Sequence, residues 1–346
     1  LAAFLAFREH AEEEGDALIV LALGVGTKFL TPSTVGHRED VLEVRDLHAE
    51  VLARRGLQRF LHLEAQRCAK SGGPGVVLER RMSGGVALRP GTTIHLYTSS
   101  VPCGNAAWKR WAKGGDGGAW QAEAVVGTLW PAPRHERLQV HARHEGQVCF
   151  LTKHSSAAAS EREAPTSAVI KGRQRPELTQ WPVGTAPFDG DWEASGRSPL
   201  TCSDKLAQWN ALGLQGAVLS RVLQAPIFPA TCTVGRKFSP AHSARALCCR
   251  LQDFTPERLP GLPSHFGIRH PALLGSSVKL DDGVYEGSSG ADFADPRCLV
   301  WWLGEPSAEV LDGRSGRTED GSISRVAPRA LVELAAGWAE ARGPGA

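Results

Sequence analysis

Two apolar runs separated by an acidic turn open the sequence, and a helical pattern follows them. Residues 1–7 and 17–23 are apolar and residues 9–16 are polar, which is typical of a β-hairpin. Beyond Asp46, apolar residues recur at a spacing of three to four, which predicts a helix that begins near His48 and Glu50. A hairpin followed by a helix favours a fold in which helices pack on a sheet.

The rest of the chain continues this mixture of strands and helices. A strand is predicted over residues 92–98, ending shortly before Cys103, and a helix is predicted to begin at Cys202. Further predictions are a helix over 239–251, a loop-rich stretch over 252–297, a late strand pair at 300–302 and 308–311, and a final helix over 328–338. We therefore expect an α/β fold, as one domain over 1–346 with a loop-rich insertion at about 104–200.

Composition excludes several classes of protein. Of the 346 residues, 42% are hydrophobic and 22% are charged, which is ordinary for a folded globular chain. No apolar run reaches the roughly 18 residues that a membrane span needs, so we expect no membrane contact. Eight cysteines without close regular spacing do not resemble a disulfide framework, which favours a reducing compartment, the cytoplasm or the nucleus.

The charge of the insertion differs from that of the whole chain. The net charge is only +2, yet residues 104–175 hold eleven Lys and Arg against six Asp and Glu, a local +5, together with four Trp. Such a segment can contact RNA phosphates and bases. A solvated loop with scattered charge is the alternative that the sequence leaves open.

One constellation of residues points to zinc chemistry. His48-Ala49-Glu50 and Pro102-Cys103 match the first part of the nucleobase-deaminase signature, in which His and Cys bind zinc and Glu moves protons. The usual second cysteine is missing because position 106 is Ala. Cys202 is the candidate replacement, since the start of a helix favours a thiolate. A buried, inert cysteine is the alternative reading of Cys202.

Ordered blocks around these residues resemble the catalytic domain of the adenosine deaminases that act on tRNA and on double-stranded RNA. The blocks are Gly26-Thr27-Lys28, Asp46 to Val51, Arg54-Arg55, Leu96-Tyr97 with Pro102-Cys103-Gly104, Cys202 to Ala207, Trp209-Asn210, Leu212 to Gly216, Ala225-Pro226-Ile227, and Glu309-Val310-Leu311 with Gly316-Arg317. The resemblance implies a cytidine-deaminase-like three-layer core with a mixed sheet, enlarged by additional strands and helices.

The resemblance also implies residue roles. His48, Cys103 and Cys202 would bind Zn²⁺, and Glu50 would transfer the proton as water replaces the amine of adenosine to give inosine. Thr27 and Lys28 match positions that contact the target nucleotide, although a Gly-Thr-Lys turn is also a common hairpin.

The same resemblance extends to a cofactor and a substrate. Arg54, Arg55, Lys205 and Trp209 match positions that bind inositol hexakisphosphate, and ordinary helix-surface ion pairs are the alternative. Because no double-stranded-RNA-binding domain precedes the catalytic residues, we expect tRNA as the substrate, at the adenosine 3′ of the anticodon in alanine tRNA. The deaminase domain of a double-stranded-RNA editor and an inactive RNA-binding relative remain alternatives. No obligate protein partner is evident.

Overall fold

The computed structural model describes residues 1–11, 15–30, 42–82, 84–103, 106, 152–153, 167–168, 201–238, 240–251, 256–257, 261–276 and 297–341. The chain divides into two compact units. The first unit comprises Leu1–Thr98, Gly213–Thr231 and Lys279–Ala346, and the second comprises Ser99–Leu212 and Cys232–Val278. Most of the insertion predicted at 104–200 lies outside the described residues, and the single-domain organisation stays a prediction.

The first unit is built on an antiparallel sheet. The strands of the unit are β1 (Ala2–Ala11), β2 (Gly15–Val25), β3 (Thr27–Phe29), β4 (Asp46–His48), β5 (Leu78–Arg80), β6 (Val86–Leu88), β7 (Thr92–Thr98), β12 (Arg297–Trp302) and β13 (Glu309–Asp312). Within the sheet, neighbouring strands follow the order β7-β1-β2-β12-β13, and every pair is antiparallel. Its helices are α1 (Ala49–Ser71), α3 (Gly216–Leu219) and α5 (Pro328–Ala341).

The second unit contains helices and short strands where it is described. It holds α2 (Cys202–Leu212), α4 (Pro240–Leu247), a 3-10 turn (Cys249–Leu251), and the short strands β8 (Thr152–Lys153), β9 (Ser167–Ala168) and β11 (Ala272–Gly275). Strand β10 (Pro229–Val234) begins in the first unit and ends in the second. Among the described residues no helix is both long enough and apolar enough to cross a membrane.

Helix α1 packs on β1, β2 and β12, and its first turn lies directly against the backbone of β2. A Cβ atom at Gly24 would stand 2.3 Å from the carbonyl oxygen of Ala49 and 2.5 Å from the amide nitrogen of Ala53. A Cβ atom at Gly26 would stand 2.1 Å from the carbonyl oxygen of Leu47. All three distances are far below any van der Waals contact, so the two glycines allow the backbone of residues 24–26 to lie this close to the backbone of residues 47–53.

Most sequence predictions of secondary structure are confirmed. The hairpin β1–β2, the strand β7, the helix from Cys202, the late strand pair and the last helix are all present, and the α/β class with a multi-strand sheet is correct. Two predictions were wrong in detail. Residues 46–48 form a strand rather than the first helical turn, because they pair with β3, and the stretch predicted to be loop contains β11.

A buried histidine on α1 gives a stability prediction that depends on pH. His62 is 3% exposed, and burial together with the charge of Arg59 lowers its pKa from 6.5 to about 4. Between these values the unfolded chain binds a proton that the folded chain does not, so the free energy of unfolding falls as the pH falls.

Between pH 6.5 and pH 4, we expect the free energy of unfolding to fall by up to about 3 kcal/mol more in wild-type protein than in His62→Gln. Urea unfolding of both proteins across this range measures the difference. Parallel pH profiles for the two proteins would contradict it.

Candidate active site

His48 is oriented by a carboxylate in the first unit. It is the last residue of β4 and precedes α1, and it is 7% exposed. Its ring Nδ1 lies 2.7 Å from Asp46 Oδ1, and its backbone N–H donates to the same oxygen at 3.0 Å. An ionised carboxylate only accepts hydrogen bonds, so Nδ1 carries the proton and Nε2 presents its lone pair. Metal-binding histidines commonly have this arrangement, because the second nitrogen is then fixed and made more basic.

Glu50 lies two residues beyond His48, in the first turn of α1, and is 8% exposed. The unpaired N–H groups of a helix start favour a carboxylate there. The neighbouring strand β3 pairs with β4, so that Thr27 lies opposite His48 and Lys28 lies opposite Leu47. The Thr27 side chain is exposed. The first unit therefore contains one predicted metal ligand, the predicted proton shuttle and both predicted substrate-contacting positions.

The two predicted cysteine ligands are neighbours in the second unit. Cys202 is the first residue of α2 and is 1% exposed, while Cys103 is partly buried. The backbone N–H of Cys202 donates to Cys103 Sγ at 3.3 Å. A donated N–H stabilises the thiolate form of a cysteine, which is the form that binds metal. The sequence prediction that Cys202 begins a helix beside Cys103 is thus met within this unit.

Three residues to which the sequence prediction gave no role at the site hold these cysteines in place. Thr201 and Asp204 form a capping box at the start of α2: the Thr201 Oγ1 accepts from the Asp204 N–H at 3.2 Å, and Asp204 Oδ2 accepts from the Thr201 N–H at 3.1 Å. Ser203 is fully buried, and its hydroxyl donates to the Cys103 carbonyl at 2.7 Å. The Thr-x-x-Asp spacing is the sequence signal that could have revealed the cap.

The two predicted polyanion-binding arginines are side by side on α1 in the first unit. Arg54 Nε donates to the Leu214 carbonyl and Arg55 Nη1 donates to the Val326 carbonyl, each at 3.0 Å. Burial and the neighbouring charge of Arg55 lower the pKa of Arg54 to about 9, and burial lowers the pKa of Arg55 although Asp46 opposes it. The buried Arg55 Nε has no hydrogen-bond acceptor among the described residues. These features suit an anion, because two adjacent and partly buried cations are stabilised by negative charge nearby.

The other two predicted polyanion-binding residues belong to α2 in the second unit. Lys205 is partly buried and Trp209 is 4% exposed. Both follow Cys202 on the same helix, at the third and seventh positions after it. Arg54 and Arg55 are partly buried, and the alternative of ordinary helix-surface ion pairs for the basic residues stays open.

The donors fit zinc by their chemistry. One neutral imidazole with a fixed tautomer and two cysteine sulfurs form a set that zinc prefers, and such three-ligand sites keep one position for water. A buried carboxylate near the imidazole can then act on that water. The structure contains no metal ion, so the assignment rests on the residues themselves.

Comparisons with known proteins agree with this chemistry. The adenosine-deaminase (editase) domain model matches residues 22–335. A double-stranded RNA-specific adenosine deaminase of Rattus norvegicus is 27% identical over 321 residues, covering 91% of this chain and 24% of that protein. The double-stranded RNA-specific editase Adar of Drosophila melanogaster is 24% identical, covering 90% of this chain and 39% of that protein.

A tRNA-specific relative has a similar sequence identity to this chain. The tRNA-specific adenosine deaminase 1 of Homo sapiens is 27% identical over 326 residues, covering 76% of this chain and 62% of that protein. The chain spans about a quarter of the length of the rat relative. Because the family model covers nearly the whole chain, including His48, Glu50, Cys103 and Cys202, this protein belongs to the adenosine-deaminase (editase) domain family.

Proposed function

We propose that this chain is a zinc-dependent hydrolase that deaminates adenosine to inosine in RNA. The observation that carries the proposal is the His48 imidazole held by Asp46, two residues before the buried Glu50 at a helix start. We assign His48, Cys103 and Cys202 as the zinc ligands and Glu50 as the catalytic acid and base. A cytoplasmic or nuclear location belongs to the same proposal.

The chain's own residues account for the proton transfers. Bound zinc supplies a Lewis acid that lowers the pKa of a water molecule to near neutrality. The Glu50 carboxylate would accept one proton of the attacking water as its oxygen bonds to C6 of adenine, and would return that proton to N1 of the purine. Glu50 would then carry the second proton from the new C6 hydroxyl to the amine, so that C6 keeps the oxygen as a carbonyl and the C6–N bond breaks to release ammonia. Asp46 holds the proton on His48 Nδ1 throughout, which keeps Nε2 available as a ligand.

Thr27 and Lys28 are proposed to contact the target nucleotide. They begin β3, and the pairing of β3 with β4 places their backbone beside His48. A target adenine must leave its stack to reach a buried carboxylate, so groups at the edge of the site have to hold the extruded nucleotide. The exposed position of Thr27 suits that role.

Inositol hexakisphosphate is proposed as a second, structural cofactor. Arg54 and Arg55 are the donors that support it, because two adjacent, partly buried guanidinium groups repel each other and Arg55 Nε lacks an acceptor among the described residues. Polyphosphates bind such clustered guanidinium groups through charge-assisted hydrogen bonds. Lys205 and Trp209 complete the proposed binding set from helix α2.

The substrate proposal keeps tRNA as the first candidate, at the adenosine 3′ of the anticodon in alanine tRNA, and double-stranded RNA as the alternative. The share of this chain that aligns with each relative favours double-stranded RNA. The alignments with the rat and fly double-stranded-RNA relatives cover 91% and 90% of this chain, whereas the alignment with the human tRNA-specific deaminase covers 76%. An anticodon loop presents an unstacked base, whereas a duplex demands base extrusion, so the two substrates place different demands on the enzyme.

Inosine formation on two matched RNAs tests the proposal. An alanine tRNA transcript and a long RNA duplex are incubated with the zinc-loaded protein, and inosine is quantified by sequencing and by nucleoside mass spectrometry. We expect inosine in at least one RNA, and the faster substrate identifies the branch. Zinc-loaded, folded protein that forms inosine in neither RNA would contradict the enzyme proposal and favour an RNA-binding relative.

A further inference from the structure

A second group of metal-binding side chains lies in the second unit, away in sequence from the proposed zinc ligands. Cys248 follows α4, Cys249 begins the 3-10 turn, and His270 lies two residues before β11. The sulfur and nitrogen atoms that these three side chains can offer a metal all lie within 4.8 Å of one another. Neither the proposed reaction nor the proposed polyanion site uses any of them.

Two distances within this group match a tetrahedral zinc site. Cys248 Sγ lies 3.7 Å from Cys249 Sγ, and Cys249 Sγ lies 3.7 Å from His270 Nδ1. Zinc–sulfur bonds of about 2.3 Å and zinc–nitrogen bonds of about 2.0–2.1 Å place tetrahedral ligand atoms about 3.5–3.8 Å apart. A disulfide would instead require the sulfurs to be about 2.0 Å apart. Two of the three pairs are therefore already spaced for a shared metal ion, and the third pair lies within 4.8 Å.

One buried residue contacts the segments on both sides of this group. Asn210, on α2, is 1% exposed. Its amide Nδ2 donates to the Leu247 carbonyl at 2.7 Å, next to Cys248, and its backbone carbonyl accepts from the Arg269 N–H at 2.8 Å, next to His270. The cysteine pair and the histidine are thus anchored to one residue of a single helix. Such support is what keeps ligands in metal-binding geometry.

Burial indicates a structural site rather than a catalytic one. Cys248 is fully buried and Cys249 is 2% exposed, while His270 is partly buried. Two thiolates and one imidazole are ligands that select zinc over magnesium or calcium, and each thiol releases its proton as the metal binds. The three ligands leave one tetrahedral position for a fourth donor.

We propose that Cys248, Cys249 and His270 bind a second, structural zinc ion in this protein. The ion joins the end of α4 to the loop before β11, and both are anchored to α2 through Asn210. Helix α2 also begins with Cys202, about 12 Å from Asn210 at the helical rise of about 1.5 Å per residue. The second ion therefore stabilises the helix that carries a ligand of the first.

Metal counting on purified, reduced protein tests this inference. Native mass spectrometry and elemental analysis should find two zinc ions per chain in wild-type protein and one in His270→Gln, whose side chain is only partly buried. The double variant Cys248→Ser/Cys249→Ser should also bind one. Cys68→Ser is the matched control, because Cys68 is a fully buried cysteine of the first unit, and it should retain two.

Cobalt loading gives a second measurement that does not depend on activity. Cobalt-substituted wild-type protein should show thiolate-to-cobalt absorption at two sites, and His270→Gln should lose the part contributed by Cys248 and Cys249. Cys202→Ala should remove only the proposed catalytic ion and keep the ion at Cys248, Cys249 and His270. This variant therefore shows which of the two proposed sites is absent if wild-type protein binds fewer than two ions. Two zinc ions in His270→Gln, or cysteines 248 and 249 joined as a disulfide in metal-free wild type, would overturn the inference.

Discussion

Replacing Glu50 with Gln should lower the rate of inosine formation by about a hundredfold to ten-thousandfold, while zinc content and folding stay unchanged. The amide keeps the size of the side chain but cannot accept the proton of the attacking water. Because Glu50 is buried at the start of α1, no other described acidic side chain of that helix start can replace it, and Asp46 is already engaged with His48. Single-turnover deamination of the preferred RNA measures the loss.

Glu79→Gln is the matched control for that variant. Glu79 lies on β5 and pairs with Arg81 at 2.7 Å, in an ion pair that is partly exposed to solvent. Such pairs contribute little to stability, so this variant should keep wild-type activity and melting temperature. Equal activity of Glu50→Gln and Glu79→Gln would remove Glu50 from the mechanism.

Cys202→Ala should remove one zinc ion per chain and reduce deamination at least about a thousandfold, since the metal contributes several kcal/mol of charge stabilisation in the transition state. The variant loses a proposed ligand at the first residue of α2. The backbone N–H of that residue donates to Cys103 Sγ. Alanine retains that N–H and favours a helix, so the loss of metal is separated from loss of the helix. Elemental analysis and single-turnover kinetics give the two measurements.

Cys68→Ala is the control for the removal of a buried sulfur. The Cys68 thiol donates to the Leu78 carbonyl at 3.4 Å and is not part of either proposed zinc site. We expect it to lose some stability, as a buried large-to-small substitution does, and to keep all its zinc. Unchanged zinc in Cys202→Ala would exclude Cys202 from the metal site and revive its interpretation as an inert buried cysteine.

Much of the fold could be predicted because its patterns are local. The alternation around residues 1–25 and the apolar spacing of α1 each specify one element, and the structure contains both. The strand β4 could not be predicted in this way. Its three residues carry no alternation of their own and become a strand only by pairing with β3, which is a contact distant in sequence.

The residues of the candidate site could be predicted from the sequence, but the contacts that orient them could not. His48, Glu50 and Cys103 follow from a short signature, and Cys202 follows from the resemblance of the block around it. The contacts that orient these residues depend on side-chain directions that no spacing reveals. Ser203, which links α2 to the Cys103 segment, looks like any helix-start serine in the sequence. The group formed by Cys248, Cys249 and His270 likewise becomes visible only when a loop and a helix end are folded together.

The contact of Gly24 with α1 limits which substitutions this protein can accept. Any side chain at position 24 would meet the carbonyl of Ala49, the amide of Ala53 and the Cβ atom of Leu52, so it would push the start of α1 away from the sheet. Libraries randomised at position 24 should therefore yield mainly unfolded clones.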